Sequence, residues 1–312
     1  MTANTGIAVS PAAVSGRGNL LTPLWRGSAG PVLIVVTAIL IFWYAMAVWM
    51  NMPWQNRLNE RAETAPGFAE FVGQTWAQDK PLLPAPHQIV SEIWNATVMT
   101  DITSRRSLAY HSLVTLSATL LGFAFGTLLG IGLAVAIIHN AATDRSLMPW
   151  IIASQTVPIL AIAPMVVVGL GAAGITGLFP KALISMYLSF FPVVVGMVKG
   201  LRSPEMIQLD LMHTYNASDW QIFTKLRWPA AIPFLFASMR VGIAISLIGA
   251  VVGELSNAAG GGLGVRLLTG SYNGQTIQIW AALLLAAALA AILVFLVGAA
   301  ERAVTARMGD TA

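Results

Sequence analysis

The charged residues inside the apolar stretches of this chain are its first candidates for chemistry. Arg240 and Glu254 are the strongly ionisable residues there, and fourteen positions separate them, which is about 21 Å along one helix. They are too far apart to act as an acid and base pair within that helix. Charges inside a membrane commonly serve transport, so both are candidate pathway or gate residues, with structural pairing as the alternative. Glu254 is expected at the outer end of its helix, where its carboxylate reaches water.

The other reactive residue types form no catalytic or metal-binding pattern. The chain has no cysteine, which excludes disulfides, thiolate catalysis and cysteine metal ligands. Its four histidines stand far apart and no His-Glu-x-x-His motif occurs, so no metal site is expected. No Gly-x-x-x-x-Gly-Lys-Ser/Thr sequence occurs either, so the chain lacks a P-loop for nucleotide phosphates. We predict that the chain is not an enzyme and that a partner binds any ATP it uses.

The composition is that of a membrane protein. Of the 312 residues, 56% are hydrophobic and 10% are charged, whereas soluble domains have about 25% charged residues. The net charge of +4 comes from scattered basic residues, so no nucleic-acid partner is expected. A hydrocarbon core of about 30 Å requires about 20 apolar residues per helix. Six stretches meet this requirement and predict an all-α membrane protein with six transmembrane helices: 31–51, 110–138, 147–170, 181–198, 230–255 and 277–298.

The remaining segments are assigned around these helices, with 110–305 as the transmembrane domain. Residues 1–30 are rich in Gly, Ala, Ser and Pro and contain no acid, which predicts a disordered leader in the cytoplasm. Residues 52–109 lie outside. An amphipathic helix is predicted there from apolar residues at helical spacing: Ile89, Ile93, Trp94 and Val98. An even number of helices places both termini, including the tail 306–312, in the cytoplasm.

Prolines and glycines add predictions about individual helices. Pro158 and Pro164 interrupt the third stretch and Pro192 the fourth, which predicts kinks. The second stretch carries glycines every four residues, on one face where another backbone can approach closely: Gly122, Gly126 and Gly130. Helix packing at this face is predicted. The alternative is that glycine is simply frequent in membrane helices.

Residues 199–229 form a polar segment between two apolar stretches. Ile207, Leu211 and Tyr215 recur every four residues and predict a short helix with an apolar stripe. A turn follows, and Ser218 can cap a second helix that begins at Asp219. The apolar face of that second helix is predicted to be Trp220, Phe223 and Leu226. Such an element could transmit force from a docked protein; the alternative is a loop that packs on the bundle.

This segment resembles the cytoplasmic EAA loop of binding-protein-dependent ABC transporter permeases. In that pattern, Glu-Ala-Ala is followed by three residues and Gly, and later by a hydrophobic residue, any residue, Leu and Pro. Asp210, Leu211 and Met212 stand at Glu-Ala-Ala, Asn216 stands at the glycine, and residues 226–229 end the pattern. Aspartate keeps the acid, and asparagine tolerates a left-handed turn. The bulkier Leu-Met pair, and a tryptophan in place of the usual leucine, indicate a docking surface adapted to its own ATPase.

The resemblance extends over about residues 85–305. It includes Phe190-Phe191-Pro192, the run from Gly249 to Glu254, and Gly262-Leu263-Gly264, which resemble the nitrate, sulfonate and taurine branch of these permeases. Within that branch, the first two motifs are similar to permeases for thiamine-precursor pyrimidines or riboflavin.

The resemblance implies the fold and partners of an ABC importer permease. The implied fold is a type I bundle of six helices with a cytoplasmic coupling loop, in the lipid of the inner membrane. A second permease copy, expected as a homodimer, completes the pathway. Separate ATPase subunits bind ATP and Mg, the chain itself holds no cofactor, and a periplasmic or tethered binding protein delivers the solute. That solute is a small polar organic molecule or anion of the sulfonate, nitrate, pyrimidine or vitamin-precursor class.

The resemblance also assigns roles to residues. Those expected in the ATPase groove are Asp210, Leu211, Met212, Tyr215, Asn216, Ala217, Trp220 and Phe223. Gly262 and Gly264 belong either to a structural turn near the gate or to a flexible loop. Four further residues could line the pathway or form bundle core: Gln155, Met165, Tyr187 and Met197.

The alternative function is an ion-coupled secondary transporter, although no inverted repeat is visible and the single deep charge is basic.

Overall fold

Helices make up the fold of the described chain. The computed structural model describes residues 29–257 and 260–309, and these ranges contain helices and no strand. The α-helices are α1 (Ala29–Arg61), α2 (Phe68–Trp76), α3 (Pro86–Trp94), α4 (Leu108–His139), α5 (Ala141–Ser154), α6 (Ile159–Ala172), α7 (Leu178–Leu201), α8 (Met206–Thr214), α9 (Asp219–Ile222), α10 (Trp228–Ser256), α11 (Leu263–Tyr272) and α12 (Thr276–Arg307). Two π-helical turns, Asn95–Met99 and Phe223–Arg227, follow α3 and α9. Most of the predicted leader, residues 1–28, and the end of the tail, 310–312, lie outside the described residues.

Five helical stretches are long and apolar enough to cross a membrane: α1, α4, α7, α9 together with α10, and α12. The predicted third crossing, 147–170, is instead a pair of helices, α5 and α6, that meet at 97°. The chain breaks before Pro158 because proline has no N–H to donate and its ring disfavours a helical conformation in the preceding residue. Pro192, in contrast, lies inside the uninterrupted helix α7.

Contacts at the two ends of the bundle determine how the chain crosses. α4 ends at His139, whose ring lies 5.1 Å from the ring of Phe223, and we call this the hairpin end. α7 begins near Lys181, whose Nζ donates to the carbonyl of Gly261 at 2.6 Å, and we call this the turn end. α4 runs the length between them, since its residue His111 bonds to the turn end. The pair α5 and α6 therefore carries the chain across once, which gives six crossings when α1 is counted.

Helix α7 lies at the centre of the bundle, packed between α4 and α10. Glycines permit the close approach of the helices. An added Cβ at Gly122, Gly126 or Gly130 of α4 would lie 2.4, 2.1 or 2.8 Å from an atom of an α7 side chain. On the opposite side, a Cβ at Gly249 of α10 would lie 2.7 Å from Ser185 Cα. All three glycines of α4 therefore face α7 at positions where a larger residue would clash.

The first helix is longer than the sequence predicted. α1 continues to Arg61 instead of ending at residue 51. Asn51, which is buried, ties α1 to the loop before α3: its Oδ1 accepts from the N–H of Leu82 at 2.8 Å, and its Nδ2 donates to the carbonyl of Leu83 at 2.9 Å. At the turn end, Thr276 Oγ1 donates to the carbonyl of Pro81 at 2.5 Å. The same loop therefore connects α1 to the start of α12.

The predicted amphipathic helix corresponds to α3, but its apolar stripe is shorter than expected. Ile89 is buried, whereas Trp94 and Val98 are each 56% exposed. The π turn Asn95–Met99 places an extra residue in the helical turn. This extra residue rotates the following side chains about the helix axis. Val98 therefore does not lie on the helix face where Ile89 is buried.

Candidate functional site

The segment between α7 and α10 folds into a helical hairpin, residues 205–222, called the hairpin below. Its first helix, α8, begins after Glu205. At the end of α8, the N–H of Ala217 donates to the carbonyl of Met212 at 3.0 Å, and the N–H of Asn216 to that of His213 at 2.9 Å. This is a Schellman arrangement, whose turn residue is left-handed. Asn216 has a φ of 54°, which explains why asparagine can stand where the EAA pattern has glycine.

Ser218 begins the second helix of the hairpin, as predicted. Its Oγ accepts from the N–H of Gln221 at 3.3 Å, and Gln221 Oε1 accepts from the N–H of Ser218 at 2.9 Å. These two bonds form a capping box. α9 then continues through the π turn into α10, so residues 219–256 form one continuous helix. A movement of α9 is therefore also a movement of α10.

The hairpin exposes a row of large apolar side chains. Ile207, Leu211, Tyr215 and Trp220 are 72%, 55%, 77% and 68% exposed, and Asp210 lies beside them, also exposed. No residue of α8 is buried. A helix this short is not stable in water without packing, and an exposed apolar row is typical of a protein-interaction surface.

The predicted apolar face of the second helix is correct only in part. Phe223 is buried together with Ile222, and the Phe223 ring contacts His139 at the end of α4. Trp220 stacks on Phe223 at 5.8 Å but remains exposed to solvent. Phe223, which was expected in the ATPase groove, is thus instead packed against the bundle and anchors the hairpin to it, while Trp220 faces outward.

At the turn end, the expectation that Glu254 reaches water is wrong. Its side chain is 0% exposed. Thr115 Oγ1 donates to Oε1 of Glu254 at 2.8 Å, and the N–H of Gly264 donates to Oε2 at 2.8 Å. The same Thr115 oxygen accepts from the N–H of Leu263 at 2.8 Å. The carboxylate therefore fastens α10 to both α4 and the start of α11.

The glycine-rich turn, residues 260–264, is hydrogen-bonded to α4. The N–H of Gly262 donates to His111 Nδ1 at 2.9 Å. His111 Nε2 bonds to the carbonyl of Arg105 at 2.9 Å, so the proton of the ring lies on Nε2. This assignment leaves Nδ1 as the acceptor for the turn.

Lys181 and the glycines themselves hold the other sides of the turn. Lys181 is 1% exposed, and its Nζ donates to the carbonyl of Gly261. Gly262 has a φ of 120°, and an added Cβ would lie 2.0 Å from Glu254 Cδ. At Gly264 an added Cβ would lie 2.5 Å from the carbonyl oxygen of Val251. These contacts favour a structural turn over a flexible loop.

Arg240 is paired and lies near the hairpin end. Its guanidinium forms an ion pair with Glu301 of α12. Glu301 lies 25 positions after Thr276, about 37 Å along α12, which exceeds the hydrocarbon thickness of about 30 Å. The pair therefore lies towards the hairpin end of α12. The expectation of a single deep basic charge is wrong, because the fully buried charged groups of the described bundle are Lys181 and Glu254.

A polar cleft opens at the turn end, between α3, α11 and α12. Its lining includes Glu92, Arg106, Arg266, Asn273 and Gln278. Arg266 Nη2 donates to Gln278 Oε1 at 2.8 Å. Burial lowers the pKa of Arg266, and the negative charge of Glu92 opposes that shift; arginine stays protonated at neutral pH. With two arginines and one carboxylate, the cleft has an excess of positive charge.

The four candidate pathway residues do not gather at one place. Met197 is 0% exposed in the core, whereas Met165 on α6 is 74% exposed. The hydroxyl of Tyr187 donates to the carbonyl of Ser154, and Gln155 Nε2 donates to Ser154 Oγ at 3.2 Å. Tyr187 and Gln155 therefore brace the break between α5 and α6, and only Met165 faces an open surface.

Sequence reasoning missed two groups of residues: Thr115 and Glu301, which bond to Glu254 and Arg240, and His111 and Lys181, which hold the glycine-rich turn. Thr115 and Glu254 are 139 positions apart, and no helical periodicity relates residues at such a separation. One signal was available. A lysine at the edge of an apolar stretch, as Lys181 is, requires a polar partner inside a membrane bundle.

Comparison with known proteins agrees with this architecture. The family described as the binding-protein-dependent transport system inner membrane component matches residues 126–310. The chain is 32% identical over 187 residues to the formylaminopyrimidine transport permease protein ThiX of Halalkalibacterium halodurans, covering 60% of this chain and 68% of that protein. It is 28% identical over 279 residues to the riboflavin transport system permease protein RibX of Chloroflexus aurantiacus, covering 89% of each. A putative aliphatic sulfonates transport permease protein, SsuC of Bacillus subtilis, is 23% identical over 216 residues, covering 69% of this chain and 74% of that protein. The resemblance and the helical membrane fold are thus confirmed, and the chain belongs to the binding-protein-dependent inner membrane component family, as a multi-pass ABC transporter permease.

Proposed function

We propose that the chain is the membrane subunit of an ATP-driven importer in the inner membrane, with the hairpin in the cytoplasm and the turn end outside. A separate ATPase subunit, which binds ATP and Mg, docks on the hairpin. The observation that carries this proposal is the exposed apolar row of the hairpin, together with the absence of any buried residue in α8. In this orientation the N-terminus of α1 and the C-terminus of α12 are both cytoplasmic.

The continuous helix 219–256 supports a mechanical role for the hairpin. It leads from Trp220 in the exposed row to Glu254 under the turn. When two ATPase subunits close on ATP, the docked hairpins move with them, and this helix transmits the movement towards the outer side. A second copy of the chain supplies the other half of the pathway and the second hairpin. At the outer side this helix is fastened to α4 and α11 through the contacts of Glu254 with Thr115 and Gly264.

Matched tyrosine substitutions test the docking role. Tyr215 on the hairpin and Tyr272 at the turn end are 77% and 82% exposed, so replacement by alanine removes a similar exposed ring from opposite ends. We expect Tyr215→Ala and Trp220→Ala to reduce co-purification of the ATPase, and Tyr272→Ala to leave it unchanged. Equal co-purification of all three variants and the parent would reject the hairpin as the docking surface. Uptake that survives ATP depletion but collapses with an ion gradient would instead support a secondary transporter.

For the solute, we infer a small polar organic molecule of the pyrimidine or vitamin-precursor class. The support is that the relatives named for formylaminopyrimidine and riboflavin are 32% and 28% identical to this chain, whereas the relative named for aliphatic sulfonates is 23% identical. Mass spectrometry of the small molecules retained by the co-purified binding protein tests this class. A sulfonate or nitrate found there would overturn the solute class and leave the importer function intact.

The polar cleft at the turn end is the proposed contact for the binding protein. Arg106 and Arg266 outnumber Glu92 there, so an acidic surface group of the binding protein would be attracted to it. Charge complementarity of this kind mainly raises the rate of association and fixes the orientation of the partner.

A further inference from the structure

A cleft on the membrane-facing side of the bundle has no role in the proposed transport mechanism. It lies between α10 and α12 and is called the arginine cleft below. Its lining residues are Arg240, Val294, Phe295, Gly298 and Arg302. Arg302 is 26 positions after Thr276, about 39 Å along α12, so the cleft lies at the membrane boundary near the hairpin end.

The arginine cleft carries an excess of positive charge. Arg240 is paired with Glu301, and its side chain is still 43% exposed. The guanidinium of Arg302 lies 5.8 Å from the ring centroid of Phe295. In the described part of the chain, no carboxylate lies within the 4.0 Å ion-pair distance of Arg302. Two guanidinium groups against one carboxylate leave one positive charge for an external anion.

Glycine keeps the cleft open. An ideal Cβ at Gly298 would lie 3.4 Å from Arg240 Nε, so the Arg240 side chain runs directly over this glycine. A leucine at position 298 would extend into the space between Arg240 and Arg302. The cleft therefore depends on the absence of a side chain at one position of α12.

An apolar surface continues from the cleft towards the turn end. Ile292, Phe295 and Leu296 of α12 are 54%, 65% and 55% exposed, and Val241 of α10 is 51% exposed. Their exposure leaves them free to contact acyl chains in a membrane. A ligand in the cleft would thus meet positive charge at the membrane boundary and hydrocarbon immediately beside it.

We propose that the arginine cleft binds an anionic phospholipid, with its headgroup phosphate between Arg240 and Arg302 and an acyl chain along Phe295. Guanidinium groups bind phosphate oxygens through paired N–H donors. Basic pockets between membrane helices at the cytoplasmic boundary are typical of anionic lipid sites. The inference goes beyond the transport function, since it requires neither the ATPase nor the solute.

Native mass spectrometry of the full chain in detergent, with equal amounts of phosphatidylglycerol and phosphatidylcholine, tests the proposal. The parent is expected to retain phosphatidylglycerol preferentially. Arg302→Gln should lower that retention about fivefold, the effect of one basic residue near a membrane surface. Arg307→Gln is the matched control, because Arg307 lies on the same helix outside the cleft, and it should leave retention unchanged. Gly298→Leu should also lower retention without any change in charge.

Several outcomes would overturn the proposal. Equal losses in Arg302→Gln and Arg307→Gln would show general attraction to positive charge and no defined site. Equal retention of both lipids by the parent would remove the headgroup preference. Displacement of phosphatidylglycerol by millimolar inorganic phosphate would identify a free-phosphate site. A change of oligomeric state in Gly298→Leu, with lipid retention unaffected, would show that a second copy of the chain covers the cleft.

Discussion

Replacing Thr115 by valine tests the hydrogen bonds that fasten the turn over Glu254. Valine has nearly the shape of threonine, so the main change is the loss of one hydroxyl group. In the parent this hydroxyl donates to Glu254 Oε1 and accepts from the N–H of Leu263, both at 2.8 Å. Thr115 and Glu254 are each 0% exposed, so bulk water does not reach the groups that lose their partner.

The size of the effect follows from the two groups affected. A buried polar group left without a partner costs about 1–3 kcal/mol, and a charged group costs more. Leu263 loses the acceptor that its N–H has in the described structure, whereas Glu254 keeps the N–H of Gly264 at 2.8 Å. We expect a loss of about 3–5 kcal/mol in the free energy of unfolding. At about 2–4 °C per kcal/mol, this lowers the melting temperature by roughly 10 °C.

Thermal unfolding of the detergent-purified chain, followed by tryptophan fluorescence, measures this change. Thr127→Val is the matched control, because Thr127 lies on the same helix and its buried Oγ1 has no hydrogen-bond partner in the described structure. Removal of an unpaired buried hydroxyl removes a desolvation cost. The control is therefore expected to melt at or above the temperature of the parent.

Two results would refute this reasoning. If Thr115→Val melts within about 2 °C of the parent, the two hydrogen bonds contribute less than a single typical bond does. If Thr127→Val is destabilised as strongly as Thr115→Val, the cause is the change of side chain within α4 and not the loss of specific partners.

Three further substitutions test other parts of the molecule. Gly126→Ala places a methyl group 2.1 Å from Ser189 Oγ and should lower the stability measured in a thermal melt by about 1–3 kcal/mol. The control is Gly132→Ala, which has no atom within 4 Å of its Cβ and should be neutral. Equal melting temperatures of the two variants would contradict the packing of α4 on α7. Asn216→Val forces a β-branched residue into a φ of 54°, which costs about 1–2 kcal/mol. This variant should reduce co-purification of the ATPase, whereas Asn216→Gly should preserve it. Full co-purification of the valine variant would show that docking does not depend on the left-handed turn at Asn216. Arg106→Glu should lower the stimulation of ATP hydrolysis by the binding protein and leave unstimulated hydrolysis unchanged, and undiminished stimulation would argue against docking at the polar cleft.

The hairpin was predictable because its signals are local. Ser218 caps α9 through Gln221, three residues away. At the end of α8, the N–H of Asn216 bonds to the carbonyl of His213, and the N–H of Ala217 bonds to the carbonyl of Met212. These partners lie only three and five positions earlier in the chain. The exception is Phe223, which was expected with Trp220 in the ATPase groove and is instead buried against the bundle. Its burial depends on His139 at the end of α4, a contact that hydrophobic periodicity within the hairpin does not record.

The roles of the charged residues were not predictable in the same way. Arg240 and Glu254 were recognised as unusual, yet their environments depend on Glu301 and Thr115, which lie 61 and 139 positions away. The glycines of α4 show the opposite case. Their spacing of four already indicated one helix face, and the structure supplied α7 as the helix that packs there.

The sequence by itself determined the membrane setting, the helices and the hairpin, because apolar length, helical period and capping residues act over a few neighbouring positions. Only the tertiary structure decided that α5 and α6 make one broken crossing, that Glu254 is buried beneath the turn and that Arg240 pairs with Glu301. The physical reason is that burial and pairing of a charge depend on which helices meet. That arrangement follows from the packing of the whole bundle, and no short stretch of sequence records it.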